Sequence, residues 1–289
     1  MKNFFFTILI FNSILFSQEK NHLTNDSLFS PYNIKRFADF LYCQKDYLRA
    51  ADEYVRYLGL IPNDTIEFKI ALSYSLMNNY DEAAKRFNSI KESSSFYQPA
   101  QIQFLKSLFQ SGNYVQFRNK YSHGTPLNDS NDCGGVASLY MFSFLLTDEP
   151  LPNEDEFLMK FPALEKIQMK SFYDWKKNPP EKSSIIAAIF STIIPGMGKI
   201  YTHDYSDGIF AFISTLGAGY LAYDNFKAGH NFRGWIFTGL TAGFYGGNIY
   251  GSAAAAQIYN AHIRFDFIND LETYLEDNNY FLKIFNFCK

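Results

Sequence analysis

Cysteine, tryptophan and charge are all scarce in this chain of 289 residues, which has three Cys, two Trp and only 19% Asp, Glu, Lys and Arg together. Each scarcity excludes something. Cys43, Cys133 and Cys288 form no Cys-x-x-Cys pair, so no structural zinc site is expected. Three widely separated cysteines read as buried free thiols. One disulfide is the alternative if the chain is exported, and spacing alone does not choose the pair. With a net charge of −3 and no Lys/Arg cluster interleaved with aromatic rings, the sequence offers no footprint for nucleic acid. It also lacks a phosphate-cradling glycine loop followed by Lys-Ser/Thr, a His-Glu-x-x-His pair and a Gly-x-Ser-x-Gly elbow. No cofactor, metal or enzymatic activity is therefore expected.

Weaker constellations point to turns rather than to chemistry. Asn128–Gly135 is rich in oxygen ligands, but the calcium-loop position for a distal Glu, counted from Asp129, is Tyr140. Cys133 would need His123 as its base, and nothing in the sequence brings the two together. His203, Asp204 and Asp207 follow a proline-glycine turn and read as a polar loop at headgroup level rather than a metal site.

What the chain has in abundance is aromatic side chains, 31 Phe and 21 Tyr, within 47% hydrophobic residues. Their first concentration follows Lys2, the only charge before the apolar run Phe4–Phe16. Ser17-Gln18 end the run, which falls short of the ~20 residues a helix needs to span a bilayer. Residues 1–17 read as a secretory signal peptide, with no following Cys to suggest lipid anchoring.

Next comes a repeat. Tyr47, Tyr80 and Tyr114 lie 33 and 34 residues apart, and the residues around them keep the same phase. Ala38, Leu41, Tyr42, Ala50 and Tyr54 precede or follow the first, Ala71, Tyr74, Asn79, Ala83 and Phe87 the second, and Leu105, Leu108, Asn113 and Phe117 the third. Small residues stand where paired helices must approach, and Pro62 closes the first unit because proline cannot continue a helix. Over residues 31–122 the pattern resembles tetratricopeptide repeats, without the usual Trp near the unit start. The resemblance implies stacked helical pairs whose groove holds a protein or peptide partner, with Tyr42, Tyr74 and Asn79 as the candidate groove residues. An irregular helical bundle is the alternative. Helices at about 136–147 and 155–176 would cap the array within residues 123–177.

Composition then changes. Residues 178–183, with Pro179 and Pro180, read as a stiff polar linker. Three apolar segments follow: Ile185–Ile194, Gly208–Tyr223 and Gly234–Ala256. The third is long enough for a bilayer and carries Gly239, Gly243, Gly247, Gly251 and Ala255 at four-residue spacing, a small-residue ladder suited to close helix packing in lipid. Gly217 and Gly219 would face it. The first segment is cut short by Pro195 and reads as a re-entrant or interfacial helix. Pro195-Gly196-x-Gly198-x-x-Tyr201, then Asp207-Gly208 and an apolar helix, resembles small bacterial membrane hairpins related to the two-transmembrane-helix domain family. That resemblance implies a fold and a membrane location, not a reaction.

The expectation is thus an all-α chain: a tetratricopeptide-like array followed by a glycine-rich membrane helical hairpin over residues 184–258 and an amphipathic helix over 259–289. Leu271, Tyr274 and Leu275 share one face of that last helix, which would lie on the membrane or dock onto the repeats. A membrane-anchored envelope adaptor, periplasmic in its N-terminal half and with a second copy of itself among its candidate partners, is the functional expectation. A small transporter or channel component is the alternative, and a soluble buried helical hairpin is the alternative for the anchor.

Overall fold

The structure is a computed structural model that describes residues 29–124, 133–281, 285, 287 and 288. The signal peptide expected at 1–17, and most of the polar stretch 128–135, lie outside the described residues. Among the described residues the chain is all-α, with thirteen helices and no strand. It divides into two compact units. One runs to Ala100 and includes Phe287 and Cys288; the other is Gln101–Phe285. The expected linker at 178–183 lies within the second unit.

The first unit holds α1 (Pro31–Cys43), α2 (Tyr47–Leu58), α3 (Asp64–Leu76), α4 (Tyr80–Asn88) and the start of α5 (Tyr97–Gln110). Local chemistry sets their ends. Ser30 caps α1 by accepting from the Asn33 N–H, with Pro31 at the first position. Asp46, Asn63 and Asn79 cap α2, α3 and α4 by accepting from Arg49, Ile66 and Glu82 N–H. The turns between α1 and α2 and between α3 and α4 share one geometry. Lys45 (φ 62°) and Asn78 (φ 59°) take the left-handed conformation, and the next residue's N–H donates to a carbonyl five residues back, at Leu41 and Tyr74. Ala38, Ala50, Ala71 and Ala83 are fully buried, as their phase in the sequence predicts. Tyr54, Ile66, Phe68, Ile70 and Phe87 fill the core around them.

In the second unit the same turn recurs between α5 and α6 (Tyr114–His123), with Gly112 at φ 76° and Asn113 N–H donating to Leu108 O. The chain continues as α7 (Cys133–Leu145), α8 (Glu154–Met159), α9 (Lys166–Lys177), α10 (Ser184–Ile193), α11 (Met197–Tyr201), α12 (Tyr205–Lys227) and α13 (Asn231–Asp277). Two expectations are corrected. The helix expected at 155–176 is two helices, because Pro162 lacks an N–H and disfavours helical backbone at Phe161. The third apolar segment and the amphipathic helix are one continuous α13 of 47 residues, about 70 Å long at 1.5 Å per residue.

The far half of α13 neither lies apart nor stays amphipathic toward solvent. Phe267, Leu271 and Leu275 form its buried stripe; Phe267 meets Phe172 and Trp175 of α9, and Tyr274 meets Phe142 of α7. Tyr274 and Tyr280 both donate to Glu165 Oε2, at 2.8 and 2.5 Å, and staple the end of the long helix. Among the described residues no helix is long and apolar enough to cross a membrane. For the segment Gly234–Ala256 the correction concerns apolarity: its glycines, Tyr245, Asn248, Tyr250 and Ser252 dilute the hydropathy of a stretch that is long enough.

Candidate functional site

Residues 184–258 are built inside out. What α10 to α13 bury against one another is small or polar: Ala187, Ser191, Gly198, Gly208, Thr215, Asn248, Ser252 and Ala256. What they turn outward is large and apolar, including Ile185 and Ile193 on α10, Phe210 and Ile213 on α12, and Trp235 on α13, all at least 63% exposed. Burying such side chains is worth roughly 1.5–3 kcal/mol each, and this fold leaves them open.

The Pro195–Tyr201 turn sits at the centre of that arrangement. Gly196 takes φ 88°, and its N–H donates to Asn248 Oδ1 at 3.1 Å. Gly198 N–H donates to Ser191 Oγ at 2.9 Å, and Ser191 and Ser252 share a hydroxyl hydrogen bond of 2.6 Å. A Cβ at Gly196 would overlap the Gly208 carbonyl, and one at Gly198 would overlap the Ala187 carbonyl. Both glycines are needed because backbone lies against backbone. Tyr201 stacks edge-on against Phe190 and sits under the Lys182 ammonium at 4.8 Å. Asn260 closes the base by exchanging two hydrogen bonds with the Lys182 backbone. Asn248 Nδ2, on the buried side, has no hydrogen-bond partner among the described residues.

The glycine ladder lies elsewhere. At Gly239, Gly243 and Gly247 an added Cβ would meet nothing within 4 Å, and at Gly251 only the Lys199 side chain. The ladder is an uncovered face of α13, and Ala255 is half-buried. The intrachain seam runs instead through Asn248, Ser252 and Ala256, one position away from the ladder. Of the glycines expected to face it, Gly219 lies against Thr241 and Gly217 against nothing.

The second place of interest is the first unit's aromatic face. Tyr42 is buried, with the Tyr47 and Phe287 rings packed on it at 5.5 and 6.3 Å. Tyr74 is half-buried, and Asn79 is exposed but serves as the α4 cap. The centre of this face is a set that sequence reasoning missed. Asp39 accepts from Lys69 Nζ at 2.6 Å, Tyr54 Oη at 2.7 Å and Lys35 Nζ at 2.9 Å. Burial pushes the Asp39 carboxyl up, yet hydrogen bonds from Lys69, Lys35 and Tyr54 outweigh it and hold it below its ordinary value. The Tyr54 hydroxyl is driven up by burial and then by Asp39. Lys69, an isolated charge in the apolar run Phe68–Leu72, was the available signal.

Phe287 lies over this set. Its ring centroid is 6.3 Å from Tyr42 and Phe68 and 6.5 Å from Phe96, and the Lys69 ammonium stands 4.8 Å from it. Cys288 forms a disulfide with Cys43, joining residues 245 apart in sequence. Both cysteines are exposed, so the reading of them as buried free thiols is overturned.

The polar loop at His203 proves to be another tight turn. His203 is left-handed at φ 65°, Asp204 caps α12, and Asp207 pairs with Lys199 at 3.4 Å. No group of three His, Cys, Asp or Glu side chains suited to a metal occurs among the described residues. No described protein family, curated protein or solved structure matches this chain.

Proposed function

We propose that the protein is a membrane-anchored envelope adaptor: tetratricopeptide-type helical pairs over residues 31–122 hold a protein or peptide partner, and α10 to α13 anchor it. The single observation that carries the reading is the inverted hairpin, with serine, threonine, asparagine and glycine inside and Ile, Phe, Leu and Trp outside. In water that surface is unfavourable; against lipid it is the low-energy arrangement, and a buried polar clasp gains strength there. Neither α12 nor α13 is apolar enough alone, so the helices enter the bilayer as one packed hairpin in which the inward Ser191 and Ser252 hydroxyls and Asn248 Oδ1 are already paired. The recurrence of the left-handed turn at Lys45, Asn78 and Gly112 supports the array. The Cys43–Cys288 disulfide suits an oxidising compartment outside the cytoplasm.

The test is carbonate extraction of membranes from cells expressing the full chain, with protease protection in spheroplasts. The expected outcome is retention in the pellet and digestion of α1 to α4 from outside. Release into the supernatant would overturn the anchor.

A further inference from the structure

The aromatic face of the first unit is occupied by the chain's own last residues, and this occupation is covalently locked. We propose that the face centred on Tyr42, Phe68 and Lys69 is a docking site for an extended peptide that presents a phenylalanine. The chain's own Phe287 acts as its internal plug, and the Cys43–Cys288 disulfide sets whether the plug is released. This deepens the adaptor reading by naming the chemistry of the partner and the control of access, and it rests on that reading.

Three observations carry it. First, Phe287 supplies what the face lacks. Tyr42, Phe68 and Phe96 present rings around one position, and Phe287 fills it in edge-on and tilted contacts. Second, Lys69 is selective for an aromatic occupant. Its ammonium is buried and held by Asp39, and it faces the Phe287 ring, an arrangement that an aliphatic side chain would not reward. Third, the lock is reachable. Cys43 and Cys288 are both exposed, while Phe287 remains half-buried beneath. A dithiol protein can therefore attack the Sγ–Sγ bond. Exchange breaks that bond, reduces Cys43 and Cys288 to thiols with two electrons, and leaves the attacking dithiol oxidised to its own disulfide, its two protons passing to the new thiols.

The probe is a fluorescent synthetic peptide of residues 283–289 with Cys288→Ser, titrated by anisotropy into the detergent-solubilised full chain. The oxidised wild type should show no saturable binding, and the full-chain double variant Phe287→Ala/Cys288→Ser should bind it saturably. The reduced wild type should bind more weakly than the double variant, since the tethered plug still competes at an effective concentration on the order of millimolar. A peptide with Phe287→Ala should bind the double variant at least about tenfold more weakly. Equal binding by oxidised wild type and double variant, or indifference to the peptide's phenylalanine, overturns the proposal. A hydrogen-exchange comparison of oxidised and reduced wild type covers a variant that misfolds. Faster exchange in α1 and α3 on reduction is expected, and unchanged exchange overturns the lock. Neither readout depends on membrane retention, so a failed extraction test removes the anchor while leaving this inference standing, and the reverse also holds.

Discussion

The two regions of this chain obey opposite rules of burial. In the first unit Phe68, Phe87 and Tyr54 are inside and Asp46, Arg49 and Lys85 are outside. In the hairpin Ser191, Ser252 and Asn248 are inside and Phe210, Ile213 and Trp235 are outside. Both are helical and closely packed, so helix content does not distinguish them. The difference lies in what each surface is suited to touch. A sequence average conceals it, because the inward small residues of α13 dilute the hydropathy of its outward face. The solvent of a helix is read from the residues it turns away from its neighbours.

The sharpest break of the comparison is a matched pair of truncations. Phe68→Ala in the fully buried first core should cost about 3–5 kcal/mol in urea unfolding, whereas Phe210→Ala, 72% exposed, should leave the chain's thermal midpoint in detergent nearly unchanged. Phe210→Ala should instead weaken retention on liposomes. A comparable loss of stability at both positions would mean that the hairpin buries Phe210.

A valine at Gly198 would thrust side-chain atoms into the Ala187 carbonyl and the Ser191 hydroxyl, and should cost about 3 kcal/mol by overpacking. Proteolysis of the 184–258 region in detergent is the readout, and the substitution should leave the rate of cleavage in α1 to α4 unchanged. Asp39→Asn tests the polar core of the first unit, with an expected loss of about 1–2 kcal/mol after discounting for partial exposure. Its carboxyl is held below the ordinary value of 3.8, so the stabilisation is present above that value and fades as pH falls through the lower, folded one. The wild type should therefore lose stability on acidification to about pH 3, and Asp39→Asn should flatten that limb. The smallest effect is expected from Gly243→Leu. Nothing faces this residue, so helix propensity should leave stability equal or raise it by up to about 1 kcal/mol. A lowered midpoint would mean that another copy covers the ladder.

Local features were the legible ones. Helix starts at Tyr47, Tyr80 and Tyr114, alanine burial at the repeat phase, and the Pro195–Tyr201 turn all follow from short-range pattern and steric need. The disulfide was not legible, because a separation of 245 residues leaves no local trace. Nor was the continuity of α13, since the apolar run ends at Ala256 while the helix continues through a change of composition. The break at Phe161-Pro162 was legible, because proline cannot continue a helix. The ladder has a physical limit as a signal: four-residue glycine spacing identifies a flat helix face without saying what lies against it, and no described part of this chain covers Gly239, Gly243 or Gly247.

The unbroken α13 makes the two halves of the second unit share one angular reference. Asn248, Ser252 and Ala256 are buried in the clasp, and Phe267, Leu271 and Leu275 are buried at the other end, where Phe267 meets α9, with no joint between them. Each residue inserted near Tyr259 would turn one stripe by about 100° relative to the other, while four would turn it by only about 40°. The helix behaves as a rigid shaft with two keyed ends. Evolution can lengthen it only in near-whole turns, and any twist applied at the hairpin arrives at the base as rotation.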